Sequence, residues 1–258
     1  MLVGVPALAG ACMTALLAAG LLVTPASPFA LGRADAMLGR GMPLEAVDRY
    51  EAIGASSPIT PLRREAFRRA ARVYELELDQ PAEARRVLGQ LLALGVGPEE
   101  QAEVREQLAE LYLSERDDES AAQQYRLAYD ADRTKPELLV RAAEIRASRS
   151  EFGRARNLWN LLIQEHPGEW SARANLGLGE IALAQNRPQQ AIRSFEDAAL
   201  SDQVHYDKAA RLGLAACYER LGELDGAMAE LDLADLPVDV HLRRKSALLE
   251  RRAVQAGE

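Results

Sequence analysis

The sequence predicts an all-α fold in which helix pairs stack as a repeat array, an α-solenoid. The first observation is an alanine that returns every 34 to 38 residues. The second is a large side chain four residues after each of these alanines, followed three residues later by another apolar residue. Spacings of three and four residues keep side chains on one helix face. A repeat of 34 to 38 residues is typical of stacked helix pairs. The recurring alanines are Ala46, Ala84, Ala121, Ala155, Ala191 and Ala227.

A small residue also recurs in the first helix of the predicted pairs, usually twelve residues before the alanine. A small residue there lets the paired helices approach closely, and the large residue of the second helix fills the gap beside it. No single pair could bury that face alone, so the pairs must stack. The small residues are Ala34, Ala109, Ala143, Gly179 and Ala215, and the second repeat has Arg72 at this place with Ala71 beside it.

We expect about six helix pairs over residues 27–241, with turns marked by Ser150 and by Asn186. A C-terminal capping helix is expected at residues 242–258. Its apolar residues and its arginines would form one apolar and one strongly polar face, as on a helix that covers the open end of a repeat array. The approximate repeats are 27–60, 65–97, 102–135, 136–169, 172–205 and 208–241.

Composition and motifs exclude several function classes. A net charge of −8 argues against a nucleic-acid partner, which would need a basic stripe. Cys12 and Cys217 are too far apart in sequence for a zinc motif, and the three histidines lack the spacing of metal ligands. The sequence contains no phosphate-binding glycine loop and no nucleophile elbow. We therefore expect neither an enzyme nor a cofactor or metal.

The N-terminal segment, residues 1–26, differs from the rest of the chain. Residues 2–23 carry no charged side chain, and about 20 apolar residues suffice to cross a bilayer. The segment is therefore a transmembrane anchor or a signal peptide with cleavage after Ala26. The apolar run lacks a preceding Lys or Arg, and Arg33 and Arg40 beyond it favour cytoplasmic repeats. Both alternatives stay open. We expect a bacterial-type cell envelope or membrane location, with the periplasmic side preferred.

The order of small and large residues within a repeat resembles the tetratricopeptide repeat family, whose unit of about 34 residues is an antiparallel helix pair. The resemblance covers about residues 30–241, nearly everything after the apolar segment. Repeat four departs from the family pattern at Arg146, where a tyrosine is usual. The pattern is clearest in repeats three, five and six, and in repeat three it consists of Ala109, Tyr112, Ala121, Tyr125 and Ala128.

The resemblance implies a binding groove lined by the first helices, with positions 2, 5 and 9 of each repeat pointing into it. Glutamate stands at position 9 in three successive repeats, and the second repeat is basic instead. These residues form either a solvated helix face or an acidic strip next to a basic one, suited to a partner of opposite charge order. The family's clamp for C-terminal carboxylates uses Lys and Asn, so that ligand class is disfavoured. The candidate groove residues are Glu103, Glu106, Glu110, Glu137, Glu144, Glu180, Arg68 and Arg72.

We therefore expect a non-enzymatic interaction scaffold or adaptor, membrane-tethered or exported, that binds a protein or peptide partner carrying a basic segment. The alternative is a chaperone or assembly factor for an envelope or secretion complex. Exposed apolar residues in the groove would favour the chaperone. The sequence offers few such residues, namely Val140, Leu176 and Leu212 at position 5 of their repeats.

Overall fold

The computed structural model describes residues 29–200 and 204–256, and in these ranges it contains thirteen helices and no strand. The all-α prediction is confirmed. In chain order the helices follow the six predicted pairs and the final helix, so odd numbers from α1 to α11 denote first helices and even numbers second helices. The helices are α1 (Ala30–Leu38), α2 (Pro43–Ser56), α3 (Thr60–Leu76), α4 (Pro81–Ala93), α5 (Pro98–Ser114), α6 (Asp118–Ala131), α7 (Glu137–Ser148), α8 (Phe152–Glu165), α9 (Glu169–Ala184), α10 (Pro188–Ala199), α11 (Val204–Leu221), α12 (Leu224–Leu233) and α13 (Val238–Ala256).

The helices divide into two compact units. The N-terminal unit ends at Glu115 and holds α1 to α5, and the C-terminal unit begins at Arg116 and holds α6 to α13. Within each unit, every helix packs against the next one in the chain. In the C-terminal unit the first helices also contact one another, α7 with α9 and α9 with α11. These contacts place corresponding positions of successive repeats side by side.

Each helix pair turns at a residue with positive φ, five residues before the recurring alanine. The φ angles lie between 52° and 79°, in the left-handed region. The backbone therefore repeats with the same period as the alanines. Two of these residues, Ser150 and Asn186, lie where the sequence predicts turns. The six are Gly41, Asp79, Arg116, Ser150, Asn186 and Gly222.

Replacing Ser150 with glycine should raise the free energy of unfolding by up to about 1 kcal/mol. A left-handed conformation costs a residue with a Cβ about 1–2 kcal/mol, and the greater freedom of an unfolded glycine offsets part of the gain. Thermal unfolding followed by circular dichroism would measure the change. Ser148→Gly is the matched control, because Ser148 is helical and glycine there should lower stability. A loss of stability in Ser150→Gly would contradict this explanation of the turn.

The predicted periodic core is confirmed. The six recurring alanines are buried, as are the large residues four positions later and the apolar residues three positions beyond those, and none of the eighteen is more than 3% exposed. The large residues are Tyr50, Leu88, Tyr125, Trp159, Phe195 and Leu231.

Aromatic rings in this core pack against helical glycines. The ring of Phe195 on α10 lies between Gly179 of α9 and Gly213 of α11, and a Cβ added to either glycine would approach a ring carbon to 2.6 Å. Trp159 of α8 lies against Gly177 of α9 in the same way. Real Cβ atoms do not come that close to a ring, so these glycines create the space that the aromatic rings fill.

The final helix differs in part from the prediction. It begins at Val238, four residues before the expected start at Leu242. Leu248 is buried against α12, but most of the other apolar residues are exposed. Successive helical residues point about 100° apart, so Leu249 cannot share the buried face with Leu248. The exposed apolar residues are Val238, Leu242, Ala247, Leu249 and Val254.

The N-terminal segment, residues 1–26 with Cys12, lies outside the described residues. In the part of the chain that the structure describes, no helix has both the length and the apolar composition needed to cross a membrane.

Candidate protein-binding surfaces

The N-terminal unit has a cleft of about 760 Å³ on the side of its first helices. Both predicted basic residues, Arg68 and Arg72 of α3, line it together with Gln107 of α5. Helix α3 contains five arginines and two glutamates, which gives this wall of the cleft a basic character. The structure therefore places the two arginines in one concave surface.

A network around Asp35 of α1 fixes the wall of this cleft. The Tyr50 hydroxyl donates to Asp35 Oδ1 at 2.5 Å, and Arg69 Nη1 donates to Asp35 Oδ2 at 2.7 Å. Arg69 Nε also donates to Glu65 Oε1 at 2.7 Å. Burial and the bond to Asp35 raise the pKa of Tyr50 above its usual value. The network joins α1, α2 and α3, so the cleft has a preorganised wall.

The two predicted arginines differ in their partners. Arg68 Nη2 donates to Glu100 Oε1 of α5 at 2.7 Å, and its Nη1 lies 3.2 Å from Glu65 Oε2. Arg72 is exposed and makes no ion pair with any described residue. Arg72 is therefore the cation that remains available to an acidic group of a partner.

The predicted acidic residues of α5 share one helix face, because Glu103, Glu106 and Glu110 follow at spacings of three and four. Glu103 and Glu110 are exposed, and Glu106 is half-buried. Neither Glu103 nor Glu106 forms an ion pair within the described ranges. Helix α5 contains five glutamates and one arginine. It thus presents an acidic face in the same unit that presents the basic wall of α3.

In the C-terminal unit the structure brings Glu144 of α7 and Glu180 of α9 into one recess of about 290 Å³. They occupy the same repeat position on first helices that contact each other. Glu137 stands two turns before Glu144 on α7, is exposed, and pairs with no cation of the described residues. Both residues come from position 9 of their repeats, where we expect glutamates to point into a groove.

Two side chains that the sequence did not single out shape this site: Trp159 lines the recess, and Arg173 lies beside it. Arg173 of α9 forms an ion pair with Glu144, and its guanidinium carbon lies 4.9 Å from the centre of the Trp159 ring. Solvent reaches Glu180, but the surrounding protein desolvates its carboxylate and raises its pKa above the usual value; Arg173 opposes this rise and Glu144 adds to it. Arg173 occupies position 2 of repeat five, so the groove rule itself could have found it.

The repeats of this chain match a known protein family. The family model for the tetratricopeptide repeat matches residues 73–136, 140–202 and 176–237. No curated protein matches the chain. Among solved structures, the C-terminal part of a repeat-containing protein of this kind from Cytophaga hutchinsonii is 15% identical, with 79% of this chain and 77% of that chain covered and a TM-score of 0.53.

Two further solved structures match the chain over most of its length. BtubC from P. vanneervenii is 18% identical, with 86% of this chain and 92% of that chain covered and a TM-score of 0.51. A tetratricopeptide repeat protein from Parabacteroides merdae is 17% identical, with 78% and 76% covered and a TM-score of 0.48. At these identities, the likeness to the C. hutchinsonii and P. vanneervenii structures concerns the fold alone.

Proposed function

Because the chain belongs to the tetratricopeptide repeat family, whose members generally mediate protein–protein interactions, we propose that it is a non-enzymatic scaffold or adaptor that binds a protein or peptide partner. The observation that carries this proposal is the 760 Å³ cleft of the N-terminal unit. Its wall is preorganised, it holds an unpaired arginine, and it lies in a unit whose α5 carries an acidic face. A surface of this kind recognises a chain segment by charge pattern.

The partner segment should carry acidic residues toward Arg68 and Arg72 and basic residues toward Glu103, Glu106 and Glu110. Each exposed ion pair contributes only about 0–1 kcal/mol, so binding requires several such contacts along an extended segment. Salt screens exposed charges beyond a Debye length, and the affinity should therefore fall as ionic strength rises.

The alternative function, a chaperone or assembly factor for an envelope or secretion complex, has less support. It would need apolar side chains open to a client on the first helices. Of the three apolar residues at position 5, Leu176 is buried and Val140 and Leu212 are half-buried. They offer little apolar surface to an unfolded chain, so we favour a partner recognised by its charges.

We also propose that residues 2–23 tether the protein to a bacterial-type membrane or direct its export, with the repeats on the periplasmic side. The support is the 22-residue stretch without a charged side chain. Membrane fractionation with protease protection in spheroplasts would test the location, and mass spectrometry of the amino terminus would test cleavage after Ala26. Recovery of the whole chain, uncleaved, in the cytoplasmic soluble fraction would contradict this proposal.

A photo-reactive benzoylphenylalanine at the position of Gln107 should cross-link the partner in cells, because Gln107 is exposed and lines the cleft. The matched controls are Gln90 of α4 and Gln123 of α6, which are exposed on second helices. Illumination followed by mass spectrometry should find a protein adduct at Gln107 and weak or absent adducts at the controls. Equal adducts at all three positions, or none at Gln107, would overturn the assignment of the cleft.

A further inference from the structure

The recess of the C-terminal unit is smaller than the cleft of the N-terminal unit. Its walls come from α7, α8 and α9, and its volume of about 290 Å³ lies just below the usual range of small-molecule sites, about 300–1,000 Å³. Gly177 forms part of the wall, and any side chain there would collide with the Trp159 ring. The absence of a side chain at Gly177 thus keeps both the ring and the recess in place.

The charges in this recess do not balance. Glu144 and Glu180 both line the recess, and the cation that acts on Glu180 is Arg173, which lies beside the recess. Arg173 is held by Glu144 and lies over the Trp159 ring. Glu180 has no ion-pair partner among the described residues. The two carboxylates and this one guanidinium therefore leave one excess negative charge, which one more cation would neutralise.

An independent observation concerns Trp159. Its side chain is 1% exposed and lines the recess, yet its Nε1 finds no hydrogen-bond acceptor among the described residues. A buried N–H without an acceptor is costly, and an acceptor supplied by a bound ligand would remove that cost. A peptide offers main-chain carbonyl oxygens that can accept this hydrogen bond, whereas a free amine offers none.

We propose that this recess binds a lysine or arginine side chain of the partner, with its cationic group at Glu180 and a main-chain carbonyl of the same segment at the Trp159 indole. The proposal rests on the proposed function, since it names one anchor of the bound partner. Glu180 accepts the charge-assisted hydrogen bond, and Glu144, which also lines the recess, stays paired with Arg173. The anchor residue thus explains why the partner would carry a basic segment.

Nuclear magnetic resonance of the full chain can test this directly, because the indole N–H of Trp159 gives its own signal. Trp170→Phe assigns it, since the sequence has two tryptophans. The probes are ten-residue glycine–serine peptides with a central lysine, arginine or norleucine, and n-butylammonium, which has the charge without a carbonyl. The protein variants are Glu180→Gln and, as the matched control, Glu196→Gln, whose residue is exposed on α10.

Lysine and arginine peptides should shift the Trp159 signal in a saturable way, and norleucine should not. Glu180→Gln should weaken binding by about tenfold or more, because it removes the negative charge that strengthens this hydrogen bond, while Glu196→Gln should have no effect. Equal shifts by norleucine, no shift by any peptide, or wild-type binding in Glu180→Gln would overturn the proposal. An equal response to n-butylammonium would make the recess a site for free amines instead. Cross-linking at Gln107 is measured in the other unit, so its result separates failure of this recess from failure of the scaffold function.

Discussion

Replacing Phe195 with alanine should lower the free energy of unfolding by about 3–5 kcal/mol, the usual cost of removing a buried aromatic side chain. The ring is 2% exposed and lies between glycines of two neighbouring helices. Those glycines have no side chains that could move into the space. The cavity left by the ring would therefore persist between α9, α10 and α11, and the loss should lie near the upper end of the range.

Chemical denaturation followed by circular dichroism would measure this loss, and hydrogen exchange would locate it. In a repeat array each helix pair interacts mainly with its neighbours, so exchange should accelerate in α9 to α11 and stay unchanged in α1 to α3. Phe195→Leu is the control, because it keeps part of the volume and should cost less. A loss below about 1 kcal/mol for Phe195→Ala would show that the ring does not hold these helices together.

Replacing Gly179 with alanine should have opposite effects in two backgrounds. In the native chain the new Cβ would approach Phe195 ring carbons to between 2.6 and 2.8 Å, and such overpacking costs about 1–3 kcal/mol. In the Phe195→Ala background the ring is gone. Alanine is there preferred over glycine in a helix by about 1 kcal/mol, so the same substitution should stabilise the protein.

The double-mutant cycle of Gly179 and Phe195 isolates this contact. Gly89→Ala is the matched control, because Gly89 lies within α4 and a Cβ there would meet no atom within 4 Å. It should stabilise the native chain by up to about 1 kcal/mol. If Gly179→Ala destabilised both backgrounds equally, the explanation of this glycine by the aromatic ring would be wrong.

Much of the fold could be predicted because burial follows helix periodicity. Ala191 and Phe195 are four residues apart in the sequence, which places them on one helix face, and both are buried in the core. The exposure of Leu249 could have been predicted as well, since its angle to Leu248 follows from helix geometry. The turn at Arg116 could not, because its left-handed φ angle occurs in a residue type that does not favour it.

The sequence indicates which candidate residues lie near each other only where repeat position decides geometry. Glu144 and Glu180 meet because stacking aligns equal positions. The ion pairs that join different helices at both sites connect side chains 29 to 34 residues apart, as in Arg173 with Glu144 and Arg69 with Asp35. Such pairs depend on side-chain rotamers and on the distance between helices, and the periodicity of the sequence specifies neither.

Our central claim is that a protein partner binds the charged cleft of the N-terminal unit. The most direct test is to measure the affinity of the partner that is recovered by cross-linking at Gln107. Titration calorimetry should compare the native chain with Arg68→Gln/Arg72→Gln and with the control Arg156→Gln/Arg193→Gln, which removes the same charge from exposed second-helix positions. The cleft variant should bind about three- to tenfold more weakly at low ionic strength, with a smaller difference at high salt. The control should bind like the native chain. Equal affinities for all three proteins at low ionic strength would contradict the claim.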